Sequence, residues 1–467
     1  MPEIVADNIS IINSSELEGA TRIDAEYYQP EYLRKEKAIK QLAFGYSYLK
    51  TLLEKDKSIS GGATPLGANY KDKGVPFLRV QNVMPNYLDL SDVVYIDNEI
   101  HERLLKRSQI KQQDVLLTIT GVSYGKSCVY PYNEPANINQ HSVLIRTNQN
   151  RLLPEFLSTF LNCKYGKYQN DRKITGMTRP GLLYSELKYL LVPNLSNGFQ
   201  KDIQEIVKKA TVLIEKSKGL YFQAETLLLE QLGLSKINFD NDICCEVNSG
   251  DTITVNRIDA EYYQPQYEQL IKALKKYPCQ TLGQLCKLVK GIEPGGAEYC
   301  EKGKPFIRVS NLTKHEINND NQQYLSEATY KELKEDYQPR KGEILLSKDA
   351  TPGITYHLKN DIECIVSSGI LRLQLSSKIR KEYLCSFLNS MIGQMQIQRD
   401  AGGSIINHWK PEQVRNTVIP ILPGKVQDKI EQLCLESFTA REKSKQLLTQ
   451  AKQKVEDMID GKCGNGV

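Results

Sequence analysis

Residues 22–32 read Arg-Ile-Asp-Ala-Glu-Tyr-Tyr-Gln-Pro-Glu-Tyr, and residues 257–267 repeat them, differing only at Glu31 and Gln266. Ten identities in eleven residues do not arise by chance, and the match continues outward with small shifts in spacing. Pro76-Phe77-Leu78-Arg79-Val80-Gln81-Asn82 corresponds to Pro305-Phe306-Ile307-Arg308-Val309-Ser310-Asn311, and Asp114 to Thr118 corresponds to Glu343 to Ser347. Phe160-Leu161-Asn162 recurs as Phe387-Leu388-Asn389, and Lys216-Ser217-Lys218 as Lys443-Ser444-Lys445. A period of roughly 230 residues is far longer than a solenoid repeat, so each unit is expected to bury a core of its own. The 467-residue chain therefore reads as two copies of one architecture.

Each copy changes structural class along its length. Its first part holds short apolar, β-branched runs between Gly, Pro and Asn punctuation: 76–80, 115–120 and 143–146, then 305–309, 344–347 and 370–373. This pattern predicts a sheet with substantial loops, followed by a short helix over 154–162 and again over 380–389. The fold class is α/β (α+β). Both copies end in a long helical pattern, which predicts two long helices pairing as an antiparallel coiled coil. In the first, Ile203, Ile206, Ala210, Leu213, Ser217, Leu220, Ala224, Leu227 and Gln231 alternate steps of three and four. Ile430, Leu433, Ser437, Ala440, Ser444, Leu447, Ala451, Lys454 and Met458 do the same in the second. Such seams belong to helix pairs, and their small residues permit close approach. Two separate amphipathic helices, each lying on its own domain, remain the alternative. The expected boundaries are a first domain at 1–198, a central helix at 199–233 and a linker at 234–256. A second domain at 257–423, a distal helix at 424–460 and a flexible tail at 461–467 follow.

Composition excludes several classes. With 40% hydrophobic and 25% charged residues the chain is an ordinary globular one, and a net charge of +5 announces no partner by itself. No uncharged apolar run approaches the ~18 residues of a membrane span, and the N-terminus lacks a signal-peptide pattern, so a cytoplasmic protein with no membrane partner is expected. Eleven scattered cysteines without a Cys-x-x-Cys pair argue against both a zinc site and a disulfide framework.

Catalytic groupings are missing. Gly121 to Ser127 imitates a phosphate loop, but three residues separate its glycines where four are needed, and Lys348 to Gly353 of the second copy has no Lys-Ser pair. The five histidines (His101, His141, His315, His357, His408) form no metal-binding pair, and no base-pocket tetrapeptide of an amino-methyltransferase or serine-nucleophile elbow occurs. The sequence reads as a binder without a reaction of its own.

Cys163 to Pro180 carries Lys164, Lys167, Arg172, Lys173 and Arg179 against the single Asp171, with Tyr165 and Tyr168 interleaved. Cations of this density suit phosphate contacts, and Arg, Lys, Asn and Gln in the same loops can read base edges. A solvated basic surface is the alternative. The equivalent stretch, Ile392 to Pro411, offers Gln398, Arg399, Asn407, His408 and Lys410 instead. Two more loop pairs diverge at matched positions: the one bearing Thr64 faces the one bearing Lys290, and the one bearing Tyr124 and Lys126 faces the one bearing Lys348. Thr175 completes the candidate DNA-contacting set. Shared framework with divergent loops suits a protein that reads two short sequences with one fold.

Taken together, the paired R-I-D-A-E-Y-Y-Q-P-x-Y segments, the strand-loop segment Asp114 to Lys126 and the two long helices resemble the specificity subunit of type I restriction-modification systems. The resemblance implies that each domain is a target recognition domain for one half of a split site in double-stranded DNA. It implies that the helices pair as a spacer and dock the modification (methyltransferase) subunits, two of them, with restriction subunits completing the assembly. No cofactor is expected in this chain: S-adenosylmethionine, ATP and Mg belong to the partner subunits. A scaffold with two protein-binding domains and no DNA contact is the alternative, with a self-contained nuclease or methyltransferase a third.

Overall fold

The computed structural model describes residues 3–6, 9–14, 17, 22–55, 58–65, 67, 70–121, 124–175, 181–235, 246–255, 257–401 and 407–462. The chain forms two compact units, Met1–Ile214 with Glu442–Val467, and Glu215–Arg441. Both boundaries fall inside long helices, so each unit contains a globular part and half of each helix.

The first unit begins its fold at the repeated Gln-Pro step. Proline fixes φ and needs no amide partner in a first helical turn, so Pro30 opens α1 (Pro30–Lys40). The strands β1 (Ile59–Gly61), β2 (Val75–Leu78), β3 (Val94–Ile96) and β4 (Gln109–Ile110) follow. Next come β5 (Val115–Thr118), β6 (Ser127–Val129), β7 (Ala136–Ile138) and β8 (Ser142–Ile145). One sheet has the order β6-β5-β8-β1 and the other β3-β2-β7-β4, with β7 parallel to β2. Strands β5 and β8 are buried throughout, which is why their sequences are unbroken apolar runs rather than alternating ones. Helices α2 (Pro154–Asn162) and α3 (Lys164–Lys173) then precede a small hairpin, β9 (Ile174–Thr175) with β10 (Gly181–Leu182). Helix α4 (Asn197–Gln231) closes the copy.

In the second unit α5 (Pro265–Leu274) again opens on the proline of the repeat. The strands are β11 (Cys286–Lys290), β12 (Tyr299–Cys300), β13 (Lys304–Ile307), β14 (Gln323–Leu325) and β15 (Ile344–Ser347). They continue with β16 (Asp349–Ala350), β17 (Thr355–His357), β18 (Ile365–Val366) and β19 (Ile370–Leu375). The main sheet, β17-β15-β19-β11, has the order of its counterpart strand for strand, and β18 is again parallel to β13. Helices α6 (Lys381–Asn389) and α7 (Met391–Asp400), the short β20 (Asn407–His408) and α8 (Gly424–Ile459) complete the copy.

Polar side chains hold both copies at matched places. Asn162 bonds both the carbonyl (2.7 Å) and the amide (3.1 Å) of Ser127, and Asn389 does the same to Thr355 at 2.9 Å each. Gln169 clasps the backbone of Leu191 and Gln396 that of Val418. Each buried amide satisfies a donor and an acceptor that would otherwise lie unpaired.

The long helices pair antiparallel within each unit. In the first unit Ser444 Oγ donates to the Ala210 carbonyl at 2.8 Å and Lys454 Nζ lies 3.9 Å from Asp202, so one helix advances as the other recedes; in the second, Ser437 Oγ donates to the Ser217 carbonyl at 2.7 Å. Ile203, Ala210, Ser217 and Ala224 are buried as expected of a seam. The alternate positions differ from the expected ones by one residue: Val207, Ile214 and Leu228 are buried, whereas Ile206, Leu213, Leu220 and Leu227 are half-exposed. Ile206 faces the core of the first unit, and Leu220 and Leu227 that of the second, so domain packing widens the stripe and shifts its centre. On α8, Ile430, Leu433, Ala440 and Ala451 are buried, Leu447 and Met458 are half-buried, and Val455 and Ile459 enter the first core. Gly233 to Leu234 end the central helix, residues 236–245 lie outside the described set, and a helix at Ser249–Val255 falls within the expected linker. Of the expected tail, 463–467 lie outside the described residues.

Candidate nucleic-acid interface

The divergent loops converge at one edge of the main sheet in each unit. The pairings Thr118↔Ser142 and Val143↔Gly61 put the ends of β5 and β1 beside the start of β8. Ile119 N donates to the His141 carbonyl at 2.9 Å, Leu182 N to the Ile119 carbonyl at 2.8 Å, and Ala63 N to the Ile138 carbonyl at 3.2 Å. The loops bearing Thr64, Tyr124, Lys126 and Thr175 are thereby brought together. In the second unit Gly291 N donates to Ile370, Lys348 N to Gly369 and Trp409 N to Lys348, which gathers the loops of Lys290, Lys348 and His408 at the same edge. Glycine is needed for this closeness: a Cβ on Gly62 would lie 1.9 Å from the Asn139 carbonyl oxygen, and one on Gly291 2.1 Å from that of Ser367.

The side chains at this edge differ in kind between the copies. In the first, the Asp171 carboxylate accepts from Tyr124 Oη at 2.9 Å and from Lys167 Nζ at 3.0 Å, and burial together with Asp171 pushes the Tyr124 hydroxyl well above the usual range. Lys167 and Thr175 are exposed, and Thr64 and Lys126 are half-buried. In the second, Asp349 takes Lys348 Nζ and His408 Nδ1, the latter at 2.8 Å, while Lys290, Gln398 and Lys410 are exposed. His141, whose Nδ1 lies 2.6 Å from Thr120 Oγ1, joins the first edge; sequence gave no signal for it beyond its place before a matched strand. Arg179 lies outside the described residues, and of Asn407 only the backbone is described.

Four cations expected to contact DNA are engaged elsewhere. Lys164 Nζ binds Asp460, just past the end of α8, at 2.7 Å, at the opposite end of α3 from the loops. Burial would raise the Asp460 carboxyl, but hydrogen bonds from Lys164, Tyr165 and Lys462 outweigh it and hold the group at about 2. Lys173 is 8% exposed and faces Glu186 at 3.6 Å. Arg172 is 7% exposed, pairs with Glu36 and donates from Nε to the Tyr27 carbonyl at 2.9 Å. Arg399, half-buried, donates likewise to the Tyr262 carbonyl at 3.3 Å. In α3 and α7 these arginines turn inward onto the repeated Arg-Ile-Asp-Ala-Glu-Tyr-Tyr segment, and Arg172, buried and paired with Glu36, is held away from solvent.

Among the described residues no group of three or more His, Cys, Asp or Glu could hold a metal ion, and no helix is long and apolar enough to cross a membrane. The described cysteines are all unpaired thiols. Burial pushes Cys163, Cys286, Cys364 and Cys434 up to about 12, which keeps them protonated and inert.

A duplicated α+β scaffold, with divergent loops at matched sheet edges and paired long helices, defines a class of tandem recognition proteins. Residues 275–454 match the type I restriction modification DNA specificity domain. The match falls on the second copy, so this chain contains a type I restriction modification DNA specificity domain, and the first copy shares its repeated segments. No curated protein matches the chain significantly. Among solved structures, the S subunit of the type I restriction-modification system from M. genitalium is similar at 12% identity over 90% of this chain and 95% of that one, with a TM-score of 0.38. The HsdS subunit from Thermoanaerobacter tengcongensis aligns at 14% identity over 90% of this chain and 97% of that one, with a TM-score of 0.28.

Proposed function

We propose that this chain directs its assembly to a bipartite, asymmetric site in double-stranded DNA, each domain reading one half. The observation that carries the reading is the duplication itself: one sheet order and one set of backbone-clasping amides occur twice, while the loops at the sheet edge differ in charge and hydrogen-bonding chemistry. An identical framework bearing different contacts is what reading two unlike half-sites requires. Lys126, Lys167 and Thr175 with Thr64 and Tyr124 form the first contact set, and Lys290, Lys348, Gln398, His408 and Lys410 the second. The paired helices fix the gap between half-sites and dock two modification subunits, with restriction subunits joining the same complex. Methyl transfer to adenine and ATP-driven cleavage, with their S-adenosylmethionine, ATP and Mg, are carried by those partners, and this chain supplies the address.

Purification of the chain from its native host, coupled to mapping of methylated adenines, tests the proposal. The expected result is co-purifying modification subunits and a split methylated motif that disappears when the chain is deleted. A methylation pattern unchanged by the deletion would favour a scaffold without DNA contact.

A further inference from the structure

The longest identity between the two copies, Arg-Ile-Asp-Ala-Glu-Tyr-Tyr-Gln-Pro, lies outside the loop cluster, and its role follows from what it touches. Arg22 grips Asp24 through Nε and Nη2 at 2.8 Å each and donates from Nη1 to the Ile174 carbonyl at 3.1 Å, where α3 gives way to the β9–β10 hairpin. Two guanidinium groups lie over the Tyr27 ring, Arg22 at 4.8 Å and Arg172 at 4.2 Å from its centroid. The second copy repeats this. Arg257 grips Asp259 and donates to the Asp400 carbonyl at 2.9 Å, and both Arg257, at 4.6 Å from the centroid, and Arg399, at 4.4 Å, lie over the Tyr262 ring.

Each guanidinium over the ring is attracted by the ring quadrupole, and the carboxylate gripped by the outer arginine limits the repulsion between the two cations. The outer arginine also caps the carbonyl at the point where the helix ends and the loop begins. We propose that each repeat is a positioning clamp: Arg22 with Tyr27, and Arg257 with Tyr262, set the direction in which the chain leaves α3 at Ile174 and α7 at Ala401, and so sharpen readout of one half-site each. The proposal rests on the split-site reading above. The clamp residues are positioning residues and touch no base.

The full chain, assembled with its modification subunits, is tested as Tyr27→Leu and as Tyr262→Leu against duplexes altered at one base in either half-site. Tyr27→Leu should shrink the matched-to-altered affinity ratio by about tenfold in one half and leave the other half unchanged, and Tyr262→Leu should give the reciprocal pattern. Unchanged ratios, or equal loss in both halves, would overturn the clamp. If Tyr27→Leu does not fold, Arg22→Lys takes its place, because lysine keeps the charge but lacks the fork that spans Asp24 and the Ile174 carbonyl. Should the parent chain bind matched and altered duplexes equally, the split-site reading fails, and amide exchange at 174–175 and 181–182 then decides the clamp alone: faster exchange in the variant upholds it, and unchanged exchange overturns it.

Discussion

The ends of α3 and α7 occupy the same place in the two copies and carry different chemistry. On the inner side Gln169 and Gln396 make the same pair of backbone bonds, and Arg172 and Arg399 stack on the same tyrosine of the repeat. On the outer side Asp171 of α3 is shared by Tyr124 and Lys167, whereas its counterpart on α7 is the exposed Gln398, and the second copy's carboxylate, Asp349 at the sheet edge, is shared by Lys348 and His408. What recurs is scaffold, and what differs is available for recognition.

The largest expected break of this comparison is Arg172→Ala, which leaves Glu36 only its more exposed partner Lys40 and uncovers Tyr27. Loss of one partner of a buried ion pair should lower stability by about 3–5 kcal/mol, read from denaturant unfolding of the full chain. A loss under about 1 kcal/mol would return Arg172 to the surface. Next come Gln169→Ala and Gln396→Ala, each expected to cost about 2–3 kcal/mol because a buried amide and a buried carbonyl lose their partner together. Near-equal losses in the two copies would confirm the shared framework, and a loss in only one would break it.

Acid titration separates the units. Burial pushes the Asp400 carboxyl up to about 6, against the pull of Arg399 and Arg257. Its folded-state value lies above the unfolded one, so the stability of the second unit should fall as pH rises from about 4 to about 6. Asp460, held at about 2, acts in the opposite sense, and its contribution to the first unit should be lost as pH drops from about 4 toward 2. Thermal unfolding between pH 2 and 8 should show both trends, with Asp400→Asn flattening the first and Asp460→Asn the second. The smallest effect on stability belongs to Lys126→Ala with Lys167→Ala, within about 0.5 kcal/mol. DNA affinity should nevertheless weaken and the slope of log affinity against log salt fall by about two, as two phosphate contacts are lost.

Much of the architecture was legible because it is written twice: repeated segments fixed the copies, and apolar runs located β2, β5 and β8. The basic stretch from Cys163 was harder to read. Its charges share a helix whose two sides face different ways, and density along a sequence does not say which side a cation is on. A usable signal existed, since Arg172 has an arginine at the matched position, Arg399, and a cation common to both copies belongs to the scaffold. The seam residues were displaced by one at alternate positions because α4 answers to its globular neighbour as well as to α8, and Ile206 and Leu213 satisfy the heptad only on paper.

The central claim is that two copies of one scaffold read their half-sites independently. Replacing residues 257–423 with the corresponding domain of another specificity subunit, followed by mapping of methylated adenines, tests it most directly. A motif altered in one half and unchanged in the other is the predicted result, and simultaneous change in both halves would contradict the account.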